Sequence, residues 1–216
     1  MPTLRPSARF RPVASLDTAI RLGAPRIGTT LLVAALLATG GCRPADLPGS
    51  GRGPPPSAPS DAPLPPALRA RSVQIQDGDS VIVLGSDGIR RTVRLSGIDA
   101  PERSQPHADA SRRHLRTLLA GRDLEIRPVK YDAFGRLVAQ VLVVDGSQAV
   151  DAGLAQLQAG LAWYFRRYER DLPASDRPRY AAGEDAARRS RTGLWSEPAP
   201  EAPWAFRQRE AAAARR

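Results

Sequence analysis

The sequence predicts an α+β fold, a five-stranded Greek-key β-barrel with about three helices. Two observations carry this. Short stretches of alternating apolar and polar residues, bounded by turn residues, recur between residues 72 and 144, and a helical pattern interrupts them after the third. Two further alanine- and leucine-rich segments follow the last strand.

The first strand starts near Ser72, where Val73 and Ile75 alternate with polar neighbours. Ser80–Leu84 is a short apolar run. Gly85-Ser-Asp-Gly88 is made of turn residues and leads into Ile89–Ser96, in which Arg91, Val93 and Leu95 alternate with Arg90, Thr92 and Arg94. These two runs read as a hairpin. Ser104–Ala120 reads as a helix with Leu115, Leu118 and Leu119 on one side, and Gly121 stops it. Asp123 to about Lys130 is the fourth strand and Arg136–Val144 the fifth. Ala149–Ala159 and about Arg177–Arg191 are expected helices. Five strands with a helix after the third match a small barrel of the oligonucleotide/oligosaccharide-binding type (OB-fold).

The flanks divide the chain into four expected regions. Arg5, Arg9, Arg11, Arg21 and Arg26 precede an uncharged run from Ile27 to Gly41, too short for a span of about 20 residues and suited to a signal peptide over 1–41. The run ends at Cys42, the sole cysteine, and Leu37-Ala-Thr-Gly-Gly-Cys42 resembles a bacterial lipobox. Cys42 is therefore the expected lipidation site, which makes the protein exported and tethered to the cell envelope. A soluble secreted or periplasmic protein is the alternative. A single cysteine also excludes an intrachain disulfide. Residues 42–71, rich in proline, glycine and serine, read as a tether, 72–198 as the folded domain and 199–216 as a disordered tail.

Net charge is +10, yet residues 72–198 carry 19 basic and 17 acidic side chains. Bulk basicity is thus no argument for a nucleic-acid partner, and attraction for phosphate has to come from locally placed arginines.

Asp79 and Asp99 lie just outside predicted strands, at places the hairpin brings side by side. Two such carboxylates, with carbonyls and water completing the shell, suit a hard cation of the Ca²⁺ type. A plain surface turn is the ordinary role of Asp77-Gly-Asp79. Glu102, after Pro101, is placed to take a proton from an attacking water, or is a solvated loop carboxylate. Arg94 is either an ion-pair partner of the acidic loop or a bidentate phosphate ligand, and Arg136, after Gly135, a strand-edge charge or a second such ligand.

The set Asp77-Gly-Asp79, Arg94…Ile98-Asp99-Ala100-Pro101-Glu102, Phe134-Gly135-Arg136 and Gly193-Leu-Trp195-Ser196 resembles the staphylococcal nuclease-like (thermonuclease) family over about 72–198. The resemblance implies an OB-fold endonuclease that uses Ca²⁺ to hydrolyse DNA and RNA, single-stranded or locally open, leaving 3′-phosphates. It places the metal on Asp79, Asp99 and the backbone carbonyl of Ala100. Glu102 orients or deprotonates the water, and Arg94 and Arg136 bind the phosphate and its transition state. Phe134 stands where the family has a tyrosine, so a ring for stacking remains and a hydroxyl is lost. Phe134 and Tyr164 are the substrate-binding candidates. No obligate protein partner is expected. The competing readings are a non-catalytic OB-fold module that binds nucleic acid or protein, and a structural envelope lipoprotein.

The remaining candidates carry less chemistry. His107 and His114, seven apart, are expected at exposed helix positions. Trp163 is assigned to the core, Trp195 to packing of the last helix, and Trp204 and Phe206 either dock on the domain or do nothing.

Overall fold

The computed structural model describes residues 62–216. The expected signal peptide, Cys42 and the first part of the tether lie outside the described residues. The end of the tether does not: β1 spans Leu68–Ile75, four residues longer at its start than expected. Leu68, Arg69 and Ala70 pair with Ile126, Glu125 and Leu124, and Ala70 is buried in the core, so this stretch is strand.

The other strands are β2 (Ser80–Gly85), β3 (Arg90–Leu95), β4 (Ile98–Asp99), β5 (Asp123–Tyr131), β6 (Leu137–Asp145), β7 (Gln148–Asp151) and β8 (Trp163–Tyr164). The main sheet runs β3-β2-β1-β5-β6-β7. Parallel pairing of Val93, Arg94 and Leu95 with Leu137, Val138 and Ala139 joins β3 to β6. The ring β3-β2-β1-β5-β6 is thereby a closed five-stranded barrel, with no free edge among its members. β7 continues β6 outside the ring, and β4 pairs with β8 in a separate ladder. Pro128 sits in β5 where the register shifts between Pro128 and Lys130, an irregularity of the kind at which strands tolerate proline.

Alternation decides which residues fill the barrel. Val81, Val83, Val93, Leu95, Leu124, Ile126, Leu137 and Ala139 point inward and are essentially inaccessible. Each full burial of a side chain this size contributes about 1.5–3 kcal/mol. Helix α1 (Ala108–Leu119) closes one end by inserting Leu115 and Leu119, one turn apart.

Helix α2 (Ala152–Gln158) starts at Asp151, whose Oδ1 accepts from the N–H groups of Gly153 at 2.9 Å and Leu154 at 3.1 Å. Tyr180, on α3 (Arg177–Arg189), donates its hydroxyl to the same carboxylate at 2.9 Å, and Gln140 of β6 donates to Asp151 Oδ2 at 2.8 Å. This buried network locks α2 and α3 to the barrel.

A fourth helix, α4 (Pro203–Ala213), occupies the stretch expected to be a disordered tail. Pro203 opens it, alanines favour it, and Trp204 anchors it by stacking on Phe165 at 5.1 Å with rings 1° from parallel. Trp163, Trp195 and Trp204 gather in a second small core, as expected for the first two.

Replacing Tyr180 with Phe leaves the buried Asp151 short of a donor. Unfolding in urea is expected to show a loss of about 1–3 kcal/mol with an unchanged denaturant slope.

Candidate active site

The carboxylates converge because two tight connections meet beside α1. In the loop before β2, Asp77 Oδ1 accepts from the Asp79 N–H at 3.0 Å. Gly78 lies so close to α1 that a Cβ there would stand 1.9 Å from Ser111 Oγ and 2.7 Å from Ala100 Cβ. Gln156 of α2, wholly buried, donates to the Gly78 carbonyl at 2.6 Å and to the Ser111 carbonyl and hydroxyl at 3.2 Å. Asp79 is thus presented by a loop with little room to move.

Asp99 arrives from the other side. β3 turns through Gly97 into β4, whose Ile98 and Asp99 pair with Tyr164 and Trp163 of β8. Asp79 Oδ2 accepts from the Ala100 N–H at 2.9 Å, and Asp79 Oδ1 from the Ser80 hydroxyl at 2.9 Å. The two aspartates and the Ala100 backbone therefore form one cluster.

Arg94 points outward from β3, opposite the inward Val93 and Leu95. Its Nη1 pairs with Asp79 Oδ2, and its Nη2 donates to Asp99 Oδ1 at 2.9 Å and to the Ile98 carbonyl at 3.2 Å. Both acids are nearly inaccessible, Asp79 at 5% and Asp99 at 1% exposure. Burial alone would raise the Asp79 pKa, but the Arg94 guanidinium outweighs it and holds the carboxyl below its usual range. Burial also works against the charge on Arg94, and the two aspartates overcome that and keep its pKa above the ordinary value. Asp99 moves the other way: burial raises it despite the pull of Arg207 and Arg94. Asp77 is pushed up to about 6, first by burial and then by the charge of Asp79.

Glu102 stands at the rim. Its N–H donates to Gln105 Oε1 at 2.9 Å, and its Oε1 accepts from Arg207 Nη1 at 2.6 Å. The same guanidinium donates from Nη2 to Asp99 Oδ2 at 2.8 Å. Arg207 belongs to α4, and nothing in the chain pattern marks it; only its place in the fold reveals it. Gln105, Ser111 and Gln156 were equally silent in the sequence, since amides and hydroxyls on helices carry no spacing signature.

Arg136 and Phe134 lie on the adjoining strand entry, out of contact with the carboxylates. The β3–β6 register sets Arg94 beside Val138, so Arg136, two residues earlier, faces the same outer side as Arg94. Asp132 clasps Arg136: Oδ1 accepts from its N–H at 2.9 Å and Oδ2 from Nε at 2.7 Å. Phe134 is 74% exposed, with the Arg136 guanidinium 5.5 Å from its ring centre.

Tyr164 is not an open stacking surface. It is 3% exposed, packs edge-on to Tyr180 at 6.0 Å, and belongs to the main core. Its place in the ladder with Ile98 turns the side chain inward. The histidines depart from expectation too: both are half-buried and partnered, His107 Nε2 with Glu197 Oε1 at 3.1 Å and His114 Nδ1 with Gln156 Oε1. A cleft of about 870 Å³ lined by Trp163, Phe165, Arg166, Arg188 and Trp204 lies elsewhere and includes none of Asp79, Asp99 or Glu102.

The donor set suits a hard cation. Asp79, Asp99 and Glu102 offer three carboxylates beside the guanidiniums of Arg94 and Arg207, oxygen donors of the kind a hard cation takes. Among the described residues no group of three or more His, Cys, Asp or Glu side chains is arranged around one ion. Asp79 and Asp99 could supply only part of a coordination shell, with backbone carbonyl and water oxygens as the remaining donors.

Comparison with known proteins finds relatives among nucleases. A family model described as staphylococcal nuclease homologue matches residues 92–197. A protein of Escherichia coli O157:H7 named "uncharacterized endonuclease" is 32% identical over 143 residues, 66% of this chain and 87% of that protein. A "micrococcal nuclease" of Shigella flexneri is 34% identical over 146 residues, 65% of this chain and 81% of the relative.

Gly78→Ala is expected to push the Asp79 loop off Ser111 and cost about 1–3 kcal/mol, the usual penalty for overfilling a packed site. Thermal unfolding of the variant beside the parent checks this.

Proposed function

Because the chain belongs to the staphylococcal nuclease-like family, we propose that it is a Ca²⁺-dependent endonuclease whose reaction centre is the Asp79–Arg94–Asp99 cluster with Glu102 and Arg136. It hydrolyses phosphodiester bonds of nucleic acid; the metal, the role of each residue and the cellular location are inferred. The observation that supports the residue roles is the convergence of Asp79 and Asp99 on one guanidinium beside Glu102.

Asp79, Asp99 and the Ala100 carbonyl would hold the cation. When bound, it supplies a positive charge that draws a phosphate oxygen into the site and stabilises the charge that builds on it. Arg94 favours the ionised form of Asp79, holds Asp99 beside it, and brings a planar guanidinium to the place where the phosphate would lie. Glu102 takes a proton from water as the water oxygen bonds to phosphorus and the bond to the 5′-oxygen breaks; the departing 5′-oxygen takes a proton from solvent, which leaves a 3′-phosphate and a 5′-hydroxyl. Arg136 faces the same side from the neighbouring strand and, once it trades Asp132 for phosphate, stabilises the pentavalent transition state. Phe134, exposed beside it, offers a face on which a base of DNA or RNA can stack, most readily an unpaired one. A retained set of acids, base and arginines favours catalysis over a purely binding OB-fold module.

Arg94 is needed for both fold and chemistry, so the half-exposed Arg136 and Glu102 are the informative positions. Arg136→Ala is expected to lower kcat on single-stranded DNA by about 10²–10³, the usual cost of one preorganised donor. Glu102→Gln, which keeps shape and removes the base, is expected to lower it by about 10²–10⁴. Undiminished cleavage by either variant refutes its role. Wild-type cleavage is expected to stop with EGTA and return with added Ca²⁺; activity indifferent to the chelator refutes the metal.

We further infer export and anchoring to the cell envelope through Cys42. In cells fed a radiolabelled fatty acid, label is expected on the wild-type protein and none on Cys42→Ala.

A further inference from the structure

The C-terminal helix places a cation of its own inside the site. Arg207 spans Asp99 and Glu102, at 2.8 Å from Asp99 Oδ2 and 2.6 Å from Glu102 Oε1, with a longer 3.3 Å contact to Asp99 Oδ1. With Arg94 on Asp99 Oδ1 as well, both oxygens of that aspartate are capped by guanidinium.

The contact is not a stray surface pair. Trp204, one turn earlier, stacks on Phe165 and meets Trp163 edge-on at 6.5 Å. The chain entering α4 is tied to the Glu102 loop itself: Gln105 donates from Nε2 to the Glu201 carbonyl at 2.9 Å while its Oε1 holds the Glu102 N–H at 2.9 Å. An aromatic anchor and an amide bridge thus fix the start of the helix, one to two turns before the guanidinium.

A divalent cation on Asp99 requires the lone pairs that Arg207 occupies, and two cations that need the same oxygens repel one another. The Glu102 oxygen that Arg207 holds at 2.6 Å is likewise taken up by the guanidinium while the helix is seated.

We propose that Arg207 is a metal-affinity-determining residue: its guanidinium occupies the cation's side of the Asp99–Glu102 pair, and α4 competes intramolecularly with the divalent metal and the phosphate. The helix seats when the site is empty and leaves when metal and nucleic acid enter. This rests on the Ca²⁺-nuclease reading above. The Ca²⁺ requirement of the full chain is accordingly higher than its carboxylates alone would set, and α4 is the element that raises it.

The test uses the full chain, wild type and Arg207→Ala, with Ca²⁺ alone in isothermal titration calorimetry. Removing the competitor is expected to tighten Ca²⁺ binding by about tenfold, within the usual range for coupled sites. The Ca²⁺ concentration that gives half-maximal cleavage of single-stranded DNA is expected to fall by the same factor. In hydrogen exchange of the wild type, the backbone amides of residues 205–213 are expected to exchange faster on adding Ca²⁺. Trp204→Ala, which loosens the helix without touching a carboxylate, is expected to shift Ca²⁺ affinity in the same direction and serves if Arg207→Ala fails to fold. Equal or weaker Ca²⁺ binding in both variants, with cleavage intact, overturns the competition and leaves the nuclease reading standing. A rate at saturating Ca²⁺ that drops a hundredfold in Arg207→Ala also overturns it, because Arg207 would then act in the reaction. No Ca²⁺ binding by any of the three proteins overturns both.

Discussion

A single arginine held between two aspartates that water barely reaches is the constraint from which the architecture around it follows. Taking charges out of water costs several kcal/mol per ion, and only close, well-directed partners offset it. Arg94 meets that demand by bonding Asp79, Asp99 and the Ile98 carbonyl together, and Asp79 in turn accepts from Ser80 and the Ala100 N–H. Such a triad tolerates little displacement, so its supports are rigid: a closed barrel carries Arg94, a short ladder carries Asp99, and a glycine pressed against α1 carries Asp79.

Those supports are themselves polar and buried. Gln156 joins the Gly78 carbonyl, Ser111 and His114 across three segments, and Asp151 joins α2, α3 and β6. A half-satisfied network of this kind destabilises more than an apolar substitute would, so each member depends on the others being in place. The arrangement separates two kinds of residue. Arg136 and Phe134 stand at a strand entry with a partly exposed clasp, whereas Asp79, Arg94 and Asp99 are fixed in position by buried supports.

The sequence made the barrel legible because alternation is a direct readout of which face is wet. Val93 and Leu95 against Thr92 and Arg94 fixed both the core and the outward direction of Arg94. The acids were legible through their neighbourhood at strand ends, where hairpin pairing brings them together. Two-residue strands were not, since Ile98–Asp99 and Trp163–Tyr164 are too short to show a period, and this is why Tyr164 looked available for stacking when ladder pairing had turned it into the core. α4 escaped for a different reason. Alanine, arginine and glutamine with no apolar stripe are as compatible with a disordered tail as with a helix, and its order comes from one tryptophan and one ion cluster. The start of β1 was hidden likewise, because Leu68 and Ala70 gain strand character only from their partners on β5.

The chain has three tryptophans, and all of them sit in one patch: Trp163 lies 5.3 Å from Trp195 and 6.5 Å from Trp204. The protein's indole fluorescence therefore originates from a single corner where β8, the turn after α3 and α4 come together. Trp163 shares a rung with Asp99, and Trp204 precedes Arg207 by one turn. Emission from this molecule is a built-in optical gauge of how the last helix sits over the acidic centre, with no dye or added label required.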